Sequence, residues 1–482
     1  MKKISNHVFR AISPTSFGLR ALGLCVIFSS LACGSGGGAG GTDTATETKP
    51  AGTDSATAAN KPTAPQAPLG TVIKGDLEVQ AFQGGYGIDF YQTTAKEFEA
   101  KHPELKIKVE GNPRVWEQLR PRLVGGTPPD LMLPGWGMDH WALVTEGQVL
   151  TLDDALNSPA YDGKGTWKDT FEPSMLALGQ QDGHQYVLPF YFSELGWWYD
   201  PSVFAKNGWT VPRTFDDLLT LGEKIKAKGV APITFQGKFP YYMIDGMLLP
   251  WAYSAGGPEA LKAAQNLEPG AWKSAGFLQA AHMIDDLNKK GFFQKGAVAM
   301  SHTESQQEFL QGKAAMIPCG TWLYSEMKNV MPPTAKLEFM RTPVVKDGKG
   351  DSLNLQIGIE PWMVPKDAKN PEAAIAFYKY MTSLPKAKQF VEAKGTLTAI
   401  KGSDEVNLPE VLKVPAKVFK ESKAVWAVQY RQWYPAFDKE IQNAMTAMLN
   451  GELTPEAFCD RVEVAADKAR KDDSLPKHKV SG

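Results

Sequence analysis

The stretch Phe309-Leu-Gln-Gly-Lys-Ala-Ala-Met-Ile-Pro-Cys-Gly-Thr-Trp322 sets a helix end, a buried strand and a large aromatic side by side. Gly312 stands where a glycine just past a helix end is common. Ala314 to Pro318 is a short apolar run bounded by turn residues, the pattern of a buried strand. Gly320 breaks that strand, and Trp322 opens the next segment. An aromatic held at a strand-to-helix turn is either core or a stacking platform, and the residues alone allow both.

The same alternation recurs along the chain. Leu77 to Phe82 and Leu105 to Val109 read as strands, and Ile88 to Ala100 and Trp116 to Val124 as helices. Gly84-Gly85-Tyr86-Gly87 joins a strand to a helix. Such a loop can cradle a phosphate on helix amides, but the spacing of the dinucleotide fingerprint is absent. It can equally present Tyr86 and backbone groups to hydroxyls, or be a plain turn. Gly135-Trp136-Gly137-Met138-Asp139 follows a strand's carboxyl end, where open α/β sheets bind ligands. Trp136 is expected to be exposed there, or to lid a small core. Asp139 could accept from vicinal hydroxyls.

Glu194 lies in the apolar run Tyr191-Phe-Ser-Glu-Leu-Gly-Trp-Trp-Tyr199, where a carboxylate is costly unless hydrogen-bonded. Ligand hydroxyls or backbone amides would meet that need. Tyr241 and Tyr242 are adjacent; such pairs can ligate ferric iron, but no histidine or carboxylate set completes a site nearby, so no metal is expected. Ala374, Phe377 and Met381 share one face of the helix after Asn370-Pro371 and read as core. Trp433 and Tyr434 open a late helix, as a platform or as a clamp for the last helix.

Of 52 basic side chains, Lys2, Lys3, Arg10 and Arg20 fall in the first 32 residues, which carry no acid. Without them 48 basic groups face 53 acidic ones, and no basic patch suggests nucleic acid. Those four cations precede the apolar run Ala21 to Ala32, too short for a spanning helix, and residues 1–32 read as a signal peptide. Residues 33–69 are Gly, Thr, Ala and Pro with few large apolar side chains, a tether that cannot bury a core. Cys319 and Cys459 remain in the folded part; they could pair in an oxidising exterior, which spacing does not decide, and unpaired, buried thiols are the expectation.

Several segments, in order, resemble the extracellular solute-binding proteins of carbohydrate ABC importers, the maltose-binding type. They are Phe309-x-x-Gly-Lys-Ala-Ala-Met with Gly320-x-Trp322, Gly126-Thr-Pro-Pro-Asp130, Gly147-Gln-Val-Leu-Thr-Leu-Asp153, Pro212-Arg-Thr-Phe-Asp-Asp-Leu-Leu219 and Asn370 to Ser383. The resemblance implies an α/β, two-lobed periplasmic-binding-protein-like fold of type II, with a cleft between lobes joined by hinge crossovers near Pro189 and Leu337. It places lobe 1 at residues 70–188 and 337–385, and lobe 2 at 189–336 and 386–482. It implies carbohydrate binding, without cofactor, by Tyr86, Trp136, Asp139, Glu194, Tyr241, Tyr242, Trp322, Glu360, Trp433 and Tyr434. Ile317 to Met327 with Pro332 further resembles members that bind N-acetylglucosamine or chitobiose. Ser30-Leu31-Ala32-Cys33 resembles a lipobox, so Cys33 would carry the lipid anchor, palmitate included, that holds a monomer at the periplasmic or cell surface beside its permease subunits. Ser30 departs from the usual leucine and leaves plain secretory cleavage open.

Ser325-Glu-Met-Lys328 and Ser383-Leu-Pro-Lys386 satisfy Ser-x-x-Lys, but the companion motifs of penicillin-binding enzymes are missing. His-Glu-x-x-His, Gly-x-Ser-x-Gly and Walker loops are absent. A glycan-degrading enzyme needs only two carboxylates and stays open as the alternative, as does a sugar sensor.

Overall fold

The structure, a computed structural model, describes residues 72–480. The expected signal peptide, the expected lipid site Cys33 and the expected tether lie outside the described residues. Among the described residues no helix is long and apolar enough to cross a membrane.

The first lobe is built on β1 (Gly75–Phe82), β2 (Leu105–Asn112) and β3 (Leu131–Leu133), a three-stranded parallel sheet in the order β2-β1-β3. Leu77, Val79 and Ala81 alternate inward along β1, which is why this segment chooses a strand. The helix Asp89–Lys101 returns over the sheet and buries Phe90, Tyr91, Ala95 and Phe98. A small hairpin, β4 (Gln180–Gln181) and β5 (His184–Gln185), lies before the first crossing.

The two lobes meet along a six-stranded sheet. It contains β6 (Leu188–Tyr199), β7 (Ala231–Ile233), β8 (Ala314–Gly320), β9 (Glu338–Met340), β10 (Asn354–Trp362) and β11 (Ala424–Trp426), in the order β11-β10-β6-β8-β7 with β9 also on β6. The long strand β6 leaves the first lobe at Leu188 and enters the second at Tyr199. Strand β10 runs back antiparallel beside it, from Gln356 opposite Leu195 to Trp362 opposite Leu188, with a register irregularity between Ile359 and Pro361. Second-lobe helices Leu249–Gly256, Ala275–Lys289, Pro435–Leu449 and Pro455–Lys471 pack around Trp251, Trp272, Phe277 and Ile441. Cys319 and Cys459 are free and buried.

Two expected boundaries move. The return crossing is β10, not the segment near Leu337. Residues 337–353 stay with the second lobe, because β9 pairs with Trp197 to Tyr199 of β6 and the Val344 amide donates to the Arg213 carbonyl. Residues 386–401 belong with the first lobe. Lys386 pairs with Glu97, Lys394 pairs with Asp89 at 2.5 Å, and Phe390 packs on Phe90 at 4.9 Å between ring centres. The aromatic count is mostly core as well: Trp167, Trp197, Trp198, Trp251, Trp272 and Trp362 are fully buried.

Candidate functional site

The loop after β1, the odd-numbered face of β6 and the facing side of β10 bring one set of side chains together. Tyr86 points its hydroxyl at Ser193 Oγ, 3.5 Å away, with the Thr321 and Thr396 side chains beside it. Its ring meets Tyr191 edge-on at 5.2 Å. Burial pushes the Tyr86 hydroxyl up to about 12, so it stays a hydrogen-bonding phenol. Burial raises the phenols of Tyr86, Tyr91 and Tyr191, and the neighbouring Glu360 carboxylate adds to the shift in each. Glu360 is half-buried, and burial lifts its carboxyl up to about 8. Pro361, next along, supplies no backbone N–H and marks the irregularity that aims Glu360.

From the second lobe comes an arc of rings. Trp322 follows Gly320 and Thr321 at the end of β8 and meets Tyr242 at 6.1 Å, with planes at 61°. Tyr242 stacks on Tyr241 at 4.6 Å, and Arg431 lies over the Tyr241 ring at 5.4 Å. Trp322 folds back over its own strand end: a Cβ on Gly320 would lie 2.0 Å from the indole. Gly320→Ala must therefore displace the Trp322 ring, an overlap no rotamer adjustment at Ala relieves. The expected result is loss of ligand affinity as large as that of removing the indole, with the circular dichroism of the fold retained. Unchanged affinity would show that the ring position is irrelevant.

Arg431 was not foreseen. It forms a two-pronged pair with Asp245, Nη1 to Oδ2 at 2.8 Å and Nη2 to Oδ1 at 2.9 Å, while Nε donates to Asp438 at 3.1 Å. Asp245 lies four residues after Tyr241, one helical turn on, which is the local signal that could have linked them. Gln356, on the same face of β10 as Glu360, sits beside Asp245, and its Oε1 is buried without a partner among the described residues.

Four expected site residues lie elsewhere. Glu194 projects from the opposite face of β6, because side chains alternate along a strand and Ser193 holds the cleft face. Both its oxygens are buried without a hydrogen bond among the described residues, burial raises its carboxyl strongly, and Arg341 is the opposing charge. Asp139 is half-buried and caps the helix His140–Thr145, accepting from Ala142 N at 2.9 Å. Burial outweighs that bond and lifts its carboxyl up to about 6. Trp433 and Tyr434 are closed off by the C-terminal segment: the His478 ring stacks on Trp433 at 5.4 Å, and the His478 amide donates to Tyr434 Oη at 3.0 Å. The Val480 amide adds a bond to Asn266 Oδ1 at 2.8 Å. Trp136 is 65 % exposed and leans on Trp116 at 4.9 Å, which in turn meets Phe82 at 6.1 Å. That patch stands at the carboxyl ends of β1 and β3, beside the Tyr86 loop.

Among the described residues no group of His, Cys, Asp or Glu could hold a metal ion. What the site offers is flat apolar ring surface, phenol hydroxyls and buried acceptors.

Two α/β lobes joined by paired crossing strands, with rings and hydrogen-bonding groups gathered where the strands cross, define a solute-binding protein. The chain belongs to the bacterial extracellular solute-binding protein family, whose pattern matches residues 84–388. It is similar to the diacetylchitobiose binding protein NgcE of Streptomyces coelicolor, 27 % identical over 435 residues, covering 86 % of this chain and 89 % of that one. It is also similar to the multiple sugar-binding protein of Streptococcus mutans, 23 % identical over 341 residues, covering 70 % and 78 %. Among solved structures, a chitin oligosaccharide binding protein superposes with a TM-score of 0.70 at 21 % identity, over 82 % of this chain and 99 % of that one. The GacH receptor of Streptomyces glaucescens superposes with a TM-score of 0.65 at 20 % identity, over 83 % and 99 %.

Proposed function

We propose that this protein is the substrate-binding subunit of a carbohydrate ABC importer. It captures a mono- or oligosaccharide, N-acetylglucosamine or chitobiose, and delivers it to the permease subunits. The observation that carries this reading is the ring arc Tyr241, Tyr242 and Trp322 facing Tyr86, Glu360 and Gln356. Pyranose rings present apolar C–H faces to aromatic planes and hydroxyls at their rims, so rings plus acceptors suit an uncharged sugar. The names of the relatives support the same class, and that of NgcE supports the chitobiose reading. The protein is anchored as a lipid-modified monomer through Cys33, at the periplasmic or outer cell surface. It binds its sugar unchanged.

The test is calorimetric titration with N-acetylglucosamine, chitobiose, maltose, xylose and cellobiose oligomers, followed by chromatography of the recovered ligand. Saturable one-site binding of chitobiose, recovered intact, is expected. Binding of another sugar alone would correct the ligand. Hydrolysed product would replace the reading with an enzyme, and silence across the panel would remove sugar altogether.

A further inference from the structure

The cleft contains a guanidinium, yet that guanidinium faces inward. Three of the Arg431 N–H donors are held by carboxylates, two by Asp245 and one by Asp438. The three side chains are buried or nearly so, with Arg431 23 %, Asp245 10 % and Asp438 7 % exposed. Two carboxylates against one cation leave this corner of the site with a negative balance. Beside Asp245, Gln356 Oε1 is a buried acceptor with no partner among the described residues.

Resting on the sugar-binding reading, we infer that Asp245 is a specificity-determining residue that sets the cleft against anionic sugars. A sugar hydroxyl or amide N–H can donate to Gln356 and to the outer lone pairs of Asp245. A uronate or phosphorylated sugar brings acceptors only and a like charge. It finds the guanidinium already paired with two carboxylates, and juxtaposed like charges in a desolvated site are strongly disfavoured. The same arginine, released from Asp245, would offer the planar fork that carboxylates bind best. Discrimination thus comes from occupying the cation, an element working against the wrong ligand. Tyr241, stacked under the guanidinium, keeps this corner next to the ring arc.

The experiment titrates the protein with N,N′-diacetylchitobiose and with its counterpart oxidised to the 6-carboxylate, and reads the ratio of the two dissociation constants. The ratio is unaffected by any uniform loss of affinity. The uronate is expected to bind at least about ten-fold more weakly to the natural protein. Asp245→Asn is expected to bring the ratio towards one, and Asp245→Glu, which keeps the charge, to preserve it. A natural protein that binds the uronate as well as the neutral sugar overturns the inference. So does an Asp245→Asn protein, shown to be folded by near-ultraviolet circular dichroism, that keeps the full ratio. If Asp245→Asn does not fold, the ratio in the natural protein and in Asp245→Glu decides. If the neutral disaccharide does not bind either, the sugar reading fails and this inference falls with it. Neutral binding without discrimination overturns only the inference.

Discussion

Trp322→Ala is expected to weaken sugar binding by about 2 kcal/mol, roughly 30-fold in Kd, the scale at which a buried aromatic anchor dominates an interface. The indole is held on one side by the Gly320 backbone it covers and on the other by the edge of Tyr242. Removing it takes away a ring face and leaves Tyr242 supported by Tyr241 alone, so the arc loses its register as well as area. Trp322→Phe keeps a smaller plane and should recover part of the loss. Calorimetry of the three proteins against the same disaccharide checks this. Equal affinities would mean that Trp322 serves only to cover Gly320.

Glu360→Gln is expected to flatten the dependence of stability on pH between about 4.5 and 8. In the folded chain burial lifts the Glu360 carboxyl up to about 8, above its ordinary value of 4.5. Between those values the unfolded chain has released a proton that the folded chain still holds, so raising the pH favours unfolding. The destabilisation is absent below pH 4.5 and complete above pH 8. The full shift would correspond to several kcal/mol, and half-burial with relaxation brings it to on the order of 2 kcal/mol. Urea unfolding midpoints of the two proteins across that range measure it, and the difference between them cancels other groups. Asp139, raised to about 6, pulls in the same direction, and His140, lowered to about 4 by burial, in the opposite one. A difference that does not grow with pH would show that the Glu360 carboxyl titrates as if in water.

Much of the scaffold was legible because its signals are local. Alternation marks β1 and β2, Gly312 marks the end of its helix, and the Thr214 capping box marks the start of another. Trp322 stood out for a local reason too, an aromatic placed at once after a strand. The failures have long-range causes. Glu194 and Ser193 are neighbours in sequence, and only the register of β6 against β10 decides which faces the cleft. The return crossing was displaced because β9 and β10 both bond to β6, β9 at Trp197 to Tyr199 and β10 from Leu195 back. Arg431 reads as an ordinary surface cation until it meets Asp245, 186 positions away. Trp433 and Tyr434 are aromatic at the expected place, but His478, far along the chain, lies on them.

The chain passes between the lobes three times, and the two passages made by β6 and β10 are not separate tethers. They are neighbouring strands bonded to each other over most of their length, and Glu360, Gln356, Tyr191 and Ser193 sit on that ribbon. A ribbon of two hydrogen-bonded strands resists folding across its width and yields most easily by torsion. The lobes of such a molecule would turn about the ribbon like the ends of a wrung cloth, and every degree of turn would re-space the groups along it. A ligand gripping both strands would then act as a brace on the spring itself. Its fit and the angle between the lobes would be one quantity, so that a sugar one ring too long would be reported to the membrane as a different shape.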